Sequence, residues 1–427
     1  MSVRKQRSAS TTKSSTVNRG LVRPRPKELT RLTGVRAESL RAINMSLVLR
    51  GILAKPGDTT RAAIAADTGI TRATISRLVD DLIDAGFVTE LAPSGDNQRG
   101  RPAVRLTPAP GRIVALGLEI NVSSLSAVLV DLTGTIIDRE QIVEDNANSN
   151  PTAVVTTLAA LSHELIERSL PQGALLLGSA LALPGLVSPT ALTLAPNLGW
   201  RDIPLDQLLK SLADFNPVVV ANEADLAAFA VANPRPGVPS GPPTFIYVSG
   251  EVGIGAGLVI NHAALGGASG WSGEIGHICA DPLGPLCSCG ASGCLEAYLG
   301  LRALAAQAGL PRNATAQDVL DAAAHGNPET LRALTEAGGA LGRALSAVIN
   351  SADIPLVLLG GRIAELADYL ITPAMREITT RVLHNSWSQI RIETVKESSF
   401  HSSIGAAHRV IQQFVDHPVD YLPHDRW

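Results

Sequence analysis

The sequence predicts an α/β protein: a winged helix-turn-helix head at the N-terminal end, then a two-lobed α/β body. Three observations predict it. Between residues 38 and 107, two helical stretches meet at a glycine turn and precede two alternating stretches around a basic loop. From residue 112 onward, apolar strand-like runs alternate with helical ones, as in strands and helices layered on one core. Aromatic residues make up 3% of the chain, while Ala, Val, Leu and Gly abound. A length of 427 residues suits two or three domains.

In the head, residues 38–53 carry helical apolar spacing through Leu40, Ile43, Leu47, Val48 and Ile52. Pro56 and Gly57 break it. A short helix over 60–66 follows, then a turn centred on Gly69. Thr71 caps a longer helix reaching about residue 85. This is the helix-turn-helix order. Ile75, Leu78, Val79 and Leu82 share one face and pack inward. Thr71, Arg72, Thr74, Ser76 and Arg77 lie largely off it and can reach base edges and phosphates of double-stranded DNA. Residues 87–91 and 103–106 alternate like two short strands. Between them Arg99 and Arg101, in an Arg-Gly-Arg-Pro tip, suit a narrow minor groove.

Net charge is −3, so the whole chain is not a polyanion binder. Residues 1–36 nevertheless hold ten Lys or Arg and a single acidic residue, Glu28. This Ser/Thr/Pro-rich stretch reads as a basic disordered tail over 1–37, suited to phosphate contact. No run approaches the ~20 apolar residues of a membrane span, and a cytoplasmic location is expected.

In the body, residues 112–118 and 126–132 read as strands joined by a turn at 119–123. A helix over 152–169 and a strand over 174–183 follow. Further strands are expected at 218–221, 244–248, 255–260 and 356–359, and a final helix near 404–415. Asn222 and Glu223 follow one of these strands, where ligand-contacting residues sit in α/β folds.

The most specific segment runs from Gly273 to Glu296. His277 stands ten positions before Cys287, which is followed by Cys289 and Cys294. Thiolates and imidazole are zinc ligands, and four of them close a tetrahedral structural site. Gly290 and Gly293 permit the tight backbone this needs. All four cysteines fall between 279 and 294, too close together to be a chain-wide disulfide scaffold, and the first thirty residues hold no apolar signal segment. Spacing alone leaves His277 and Cys279 as alternatives for the fourth ligand.

The Glu-x-Gly-His pattern at 274–277, followed by Cys-x-Cys-Gly-x-x-Gly-Cys-x-Glu at 287–296, resembles the ROK family of bacterial repressors and sugar kinases. The resemblance covers nearly everything after residue 38. It implies an actin/hexokinase-like (ribonuclease H-like) body over 112–427. The first lobe would span about 112–222 plus the C-terminal helix, and the second about 223–400. It implies a structural zinc on His277, Cys287, Cys289 and Cys294, with Cys279 an ordinary small apolar residue. It also implies sugar contacts from Asn222, Glu223, Glu274, His277 and Glu296.

The family's kinases open their first hairpin with Asp-x-Gly-Gly-Thr-Lys, whose glycines admit ATP phosphates. Here residues 119–124 read Glu-Ile-Asn-Val-Ser-Ser, and Glu223 stands where the family's catalytic Asp belongs. The glycine-rich stretch 250–257 and the pair Gly360-Gly361 still resemble phosphate-side elements. The expectation is therefore a protein without enzyme activity. It would be a sugar-responsive DNA-binding transcriptional regulator, most often a repressor in this family. It would act as a homodimer or homotetramer on operator DNA. The alternatives are an ATP-dependent sugar kinase with an appended DNA-binding head, and a regulator whose sugar site is vestigial.

Overall fold

Thr60 and Thr71 each accept a backbone N–H three residues on, from Ala63 and Thr74, and so start the second and third helices of the head. The architecture comes from a computed structural model, which describes residues 37–92, 104–395 and 400–422. The tail expected over 1–37 therefore lies, except for Ala37, outside the described residues, as do Arg99 and Arg101.

The head holds α1 (Ala37–Ala54), β1 (Thr59–Thr60), α2 (Arg61–Thr68), α3 (Arg72–Asp84), β2 (Val88–Leu91) and β3 (Arg105–Pro108). Gly69, at φ 72°, ends α2 in the left-handed region that favours glycine. The three strands form one antiparallel sheet in the order β1-β3-β2. Ile75, Leu78, Val79 and Leu82 are buried as expected.

The body contains two five-stranded sheets. The first uses β4 (Ile113–Ile120), β5 (Ser124–Asp131), β6 (Ile136–Val143), β7 (Leu175–Leu183) and, later in the chain, β11 (Pro217–Asn222), in the order β11-β7-β4-β5-β6. Helix α4 (Pro151–Ser169) joins β6 to β7. A small sheet of β8 (Leu186–Val187), β9 (Ala191–Ala195) and β10 (Trp200–Pro204), then α5 (Leu205–Leu208), intervenes before β11. Helix α6 (Glu223–Ala232) leaves β11.

The second sheet uses β12 (Phe245–Gly250), β13 (Ile254–Ile260), β14 (Ala263–Ala264), β15 (Leu356–Gly361) and β16 (Arg391–Thr394), in the order β14-β13-β12-β15-β16. Helices α7 (Glu296–Leu299), α8 (Leu301–Gln307), α9 (Ala316–Ala324) and α10 (Pro328–Ala352) precede β15, and α11 (Ala367–Arg381) precedes β16. In both sheets three antiparallel strands are extended by two parallel ones added beside the first. This duplicated order is the actin/hexokinase-like fold expected from the resemblance.

The last helix, α12 (His401–Asp416), returns to the first sheet. It lies so close to β4 that a Cβ on Gly117 would strike the Ser403 carbonyl, and its Gly405 meets the Leu226 carbonyl of α6 equally closely. Its far end packs on the head. Phe414 meets Phe87 edge-on at 4.9 Å, Ser46 Oγ donates to the Val415 carbonyl at 2.7 Å, and Arg50 pairs with Asp416. Met45, Val48, Leu49 and Ile52 share one buried cluster with Val410, Ile411 and Phe414. Burial of such side chains contributes about 1.5–3 kcal/mol each.

One local expectation is corrected. The turn expected at 119–123 is shorter, because β4 continues to Ile120: Glu119 pairs with Ser126 and Ile120 with Leu125. Glu119 is thus a buried strand residue, 8% exposed. Among the described residues, no helix is long and apolar enough to cross a membrane.

Candidate functional site

A cavity of about 170 Å³ opens where the β7–β8 turn, the ends of β9 and β11, the β12–β13 turn and the loop leading to α7 converge. That is below the range of about 300–1,000 Å³ for drug-sized ligands. Of the residues singled out from the sequence, Asn222, Glu223, Glu274, His277 and Glu296 all line it. Asn197 lines it too, as do Gly253 and Cys289.

Each polar group is held differently. Asn222 caps α6: its Oδ1 accepts from Ala224 N and Asp225 N, and its Nδ2 donates to the Gly185 carbonyl at 3.0 Å. Much of its capacity therefore goes to the backbone. Glu296 is clamped, with Oε2 accepting from Ile254 N at 3.0 Å and Asn197 Nδ2 at 3.4 Å, and Oε1 accepting from Ser288 Oγ at 3.0 Å. Glu223 accepts from Asn121 Nδ2 at 3.2 Å.

The field is acidic. Burial, and then the charges of Glu119, Glu251, Glu274 and Glu296, hold the Glu223 carboxyl well above the usual carboxylate range. Burial pushes Glu119 up to about 7, against hydrogen bonds from Ser402, Ser126 and Asn121 that pull it down. Burial, then Glu274, pushes Asp225 to about 7, and its Oδ1 is buried without a partner. Among the described residues, no lysine or arginine lines the cavity.

Beside the cavity His277, Cys287, Cys289 and Cys294 bring their ligand atoms within 4.8 Å of one another, a candidate metal-binding cluster. Gly290 and Gly293 both take positive φ, 94° and 73°, and a Cβ on Gly293 would strike the Asp281 carbonyl. His277 Nδ1 lies 3.8 Å from Cys287 Sγ, and its Nε2 lies 3.9 Å from Glu274 Oε2. One ring nitrogen thus faces the cluster and the other faces a cavity carboxylate. Cys279 stands outside the cluster, exposed, with its thiol 3.8 Å from the Ser292 carbonyl. Burial pushes the Cys287 thiol up and the Cys294 thiol to about 12. An ion that takes them as thiolates must therefore displace protons.

On the head, Thr71, Arg72 and Arg77 are exposed at the N-terminal part of α3, whereas Thr74 and Ser76 are half-buried. Thr74 shares a hydroxyl contact with Thr71 at 2.9 Å. Arg61 on α2 is committed to Asp80 and Glu90.

A duplicated sheet fold with an acidic cleft and a helix-turn-helix head defines a protein of the sugar kinase and repressor class. Residues 115–413 match the ROK family, and the chain belongs to it; residues 46–100 match the MarR family. The xylose repressor of Bacillus spizizenii is 31% identical over 88% of this chain and 97% of its own length. A crystallised ROK family transcriptional regulator, homologous to the E. coli MLC protein, superposes with a TM-score of 0.71 at 25% identity, covering 88% of this chain and 97% of that one. The N-acetylmannosamine kinase of Yersinia pestis is 28% identical over 60% of this chain and 85% of its own. The glucokinase of Streptomyces griseus shares the fold, with a TM-score of 0.56 at 23% identity over 69% of this chain and 98% of that one.

The kinase likenesses overturn the expectation that this chain is not an enzyme. That expectation weighed the departures at 119–124. The carboxylate of Glu223 still lines the cavity, and Gly250 still pairs with Gly361 across β12 and β15. Kinase activity is plausible for such a cleft.

Proposed function

We propose that this protein is a sugar-responsive DNA-binding transcriptional regulator, most simply a repressor of carbohydrate genes. The carrying observation is that its similarity to a xylose repressor runs through head and body together, over 88% of the chain. In this reading residues 38–107 form the DNA-binding domain and 112–427 the sugar-binding body. The effector is a monosaccharide whose hydroxyls meet Asn222, Glu223, Glu274, His277 and Glu296. Thr71, Arg72, Thr74, Ser76 and Arg77, with Arg99 and Arg101 outside the described residues, face operator DNA. Two copies or four present paired heads to two half-sites.

The metal in this reading is zinc. Zn–S bonds of about 2.3 Å set sulfurs about 3.8 Å apart in a tetrahedron, and Cys289 Sγ and Cys294 Sγ stand 3.8 Å apart. Three cysteines and a histidine close the coordination, so the ion would hold the loop that carries Glu274 and Glu296. Helix α12 touches β4, α6 and the head. A sugar that prefers one arrangement of the lobes would bias the heads through it, to the extent that its affinity differs between states.

The test is binding of the zinc-loaded protein to duplex DNA from upstream of its own gene, by fluorescence anisotropy, with and without a sugar panel headed by xylose. Specific binding that one sugar alters is expected. No specific binding would defeat the reading. A second reading, sugar phosphorylation, is favoured by the placement of Glu223 on the cavity wall beside the glycine turn of β12–β13. Production of ADP dependent on one sugar would establish it, alone or alongside regulation.

A further inference from the structure

We propose that Asn121 is a positioning residue for the cleft: its carboxamide ties the β4–β5 turn to Glu223 and fixes the direction in which that carboxylate meets a sugar hydroxyl. The proposal rests on reading the cleft as a sugar site.

Asn121 does not line the cavity; Glu223 does. The amide is locked in one orientation. Its Oδ1 accepts the N–H of Val122 at 2.6 Å, leaving Nδ2 to donate to Glu223 Oε2 at 3.2 Å and to the Glu119 carboxyl beside it. Flipping the amide would set oxygen against the carboxylate and NH₂ against an N–H, so the network selects one state. The turn itself is pinned. Asn121 N donates to the Ser124 carbonyl at 2.8 Å, and Asn146 Nδ2 donates to the Asn121 carbonyl at 2.9 Å. The contact spans 102 positions of sequence and joins two separate strand ends of the first sheet.

A carboxylate here needs such a donor. Glu223 is faced by Glu119 on β4, Glu251 in the β12–β13 turn, and Glu274 and Glu296 on the loop and α7; Tyr247 of β12 feels its charge, and His277 stands across the cavity. Burial first, and then these four neighbouring carboxyls, push Glu223 toward a proton. A fixed N–H donor opposes both, since a hydrogen bond to the charged form favours that form. Removing it frees the side chain to turn from the ligand.

The variants are Asn121→Ala and the isosteric Asn121→Asp. Both should weaken the affinity for the sugar that the wild type binds by about 10- to 150-fold, the weight of a hydrogen bond to a charged group. Asn121→Asp keeps an acceptor for Val122 N but turns the donor into a fifth carboxylate. It should regain affinity as pH falls and its carboxyl takes up a proton it can donate. A merely structural role for residue 121 would not produce that recovery. The second readout is the Glu223 carboxyl titration by ¹³C NMR in ligand-free protein, assigned with Glu223→Gln; Asn121→Ala should move it upward. If sugar binds and neither affinity nor titration changes in the variants, the positioning role is overturned and the sugar reading survives. If no sugar binds but the titration moves, the sugar reading falls and the Asn121–Glu223 contact stands.

Discussion

Gly253 offers a way to damage the cleft without touching the head or the metal ligands. It sits in the β12–β13 turn, and a Cβ there would lie 2.7 Å from Asn197 Nδ2 and 3.0 Å from Glu296 Oε2. Ordinary contact begins at 3.4 Å, so Asn197 must retreat by about 0.7 Å and Glu296 by about 0.4 Å. Asn197 is a side-chain end and can move, so the fold should survive. The clamp on Glu296 should not, because Asn197 and Ile254 N both hold the oxygen that is pushed. Loss of one hydrogen bond to a charged group costs about 1.5–3 kcal/mol, or about 10- to 150-fold in affinity. Gly253→Ala should therefore weaken effector binding by that factor in isothermal titration calorimetry. DNA affinity without sugar, measured by anisotropy, should be unchanged. A sugar affinity within twofold of wild type would refute the clamp as a determinant of the site.

Four further outcomes are expected. Cys289→Ser should lower bound zinc, measured by elemental mass spectrometry, and blunt the sugar response. Acidification of the wild type should release metal as protons reclaim the thiols; unchanged content in both would remove the metal from the account. Glu119 holds a proton when folded that the unfolded chain releases between pH 4.5 and about 7. Its contribution is therefore present in full below pH 4.5 and lost as pH rises to about 7. In urea unfolding across that window, Glu119→Gln should show a flatter loss of stability, though not a flat one, because Asp225 adds a similar slope. Arg77→Ala should weaken operator binding by about 10- to 100-fold if it makes a bidentate base contact, with sugar affinity intact; an operator affinity equal to wild type would take Arg77 out of the interface.

Much of the site was legible in the sequence because its signals are local. His277, Cys287, Cys289 and Cys294 lie within eighteen residues, and two positive-φ glycines suffice to fold them together. The turn at Gly69 and the cap at Thr71 are likewise decided by their own backbone. The turn after β4 was misjudged because Glu119 is a polar residue in a strand, and only its pairing with Ser126 and its cover by α12 account for that. Asn197 carried no signal beyond a proline-flanked loop, since its importance lies in reaching Glu296, 99 positions away.

By itself, then, the sequence determined the helices and turn of the head, the three clustered cysteines of the candidate metal-binding cluster and the family of the body, each through residues close enough along the chain to constrain one another. Only the tertiary structure decided which carboxylates share a cavity, that Asn222 Nδ2 reaches the Gly185 carbonyl, that Asn121 reaches Glu223, and that α12 touches both the first sheet and the head. Those contacts join segments more than twenty residues apart. They depend on how sheets and helices close-pack, which short-range propensity does not encode.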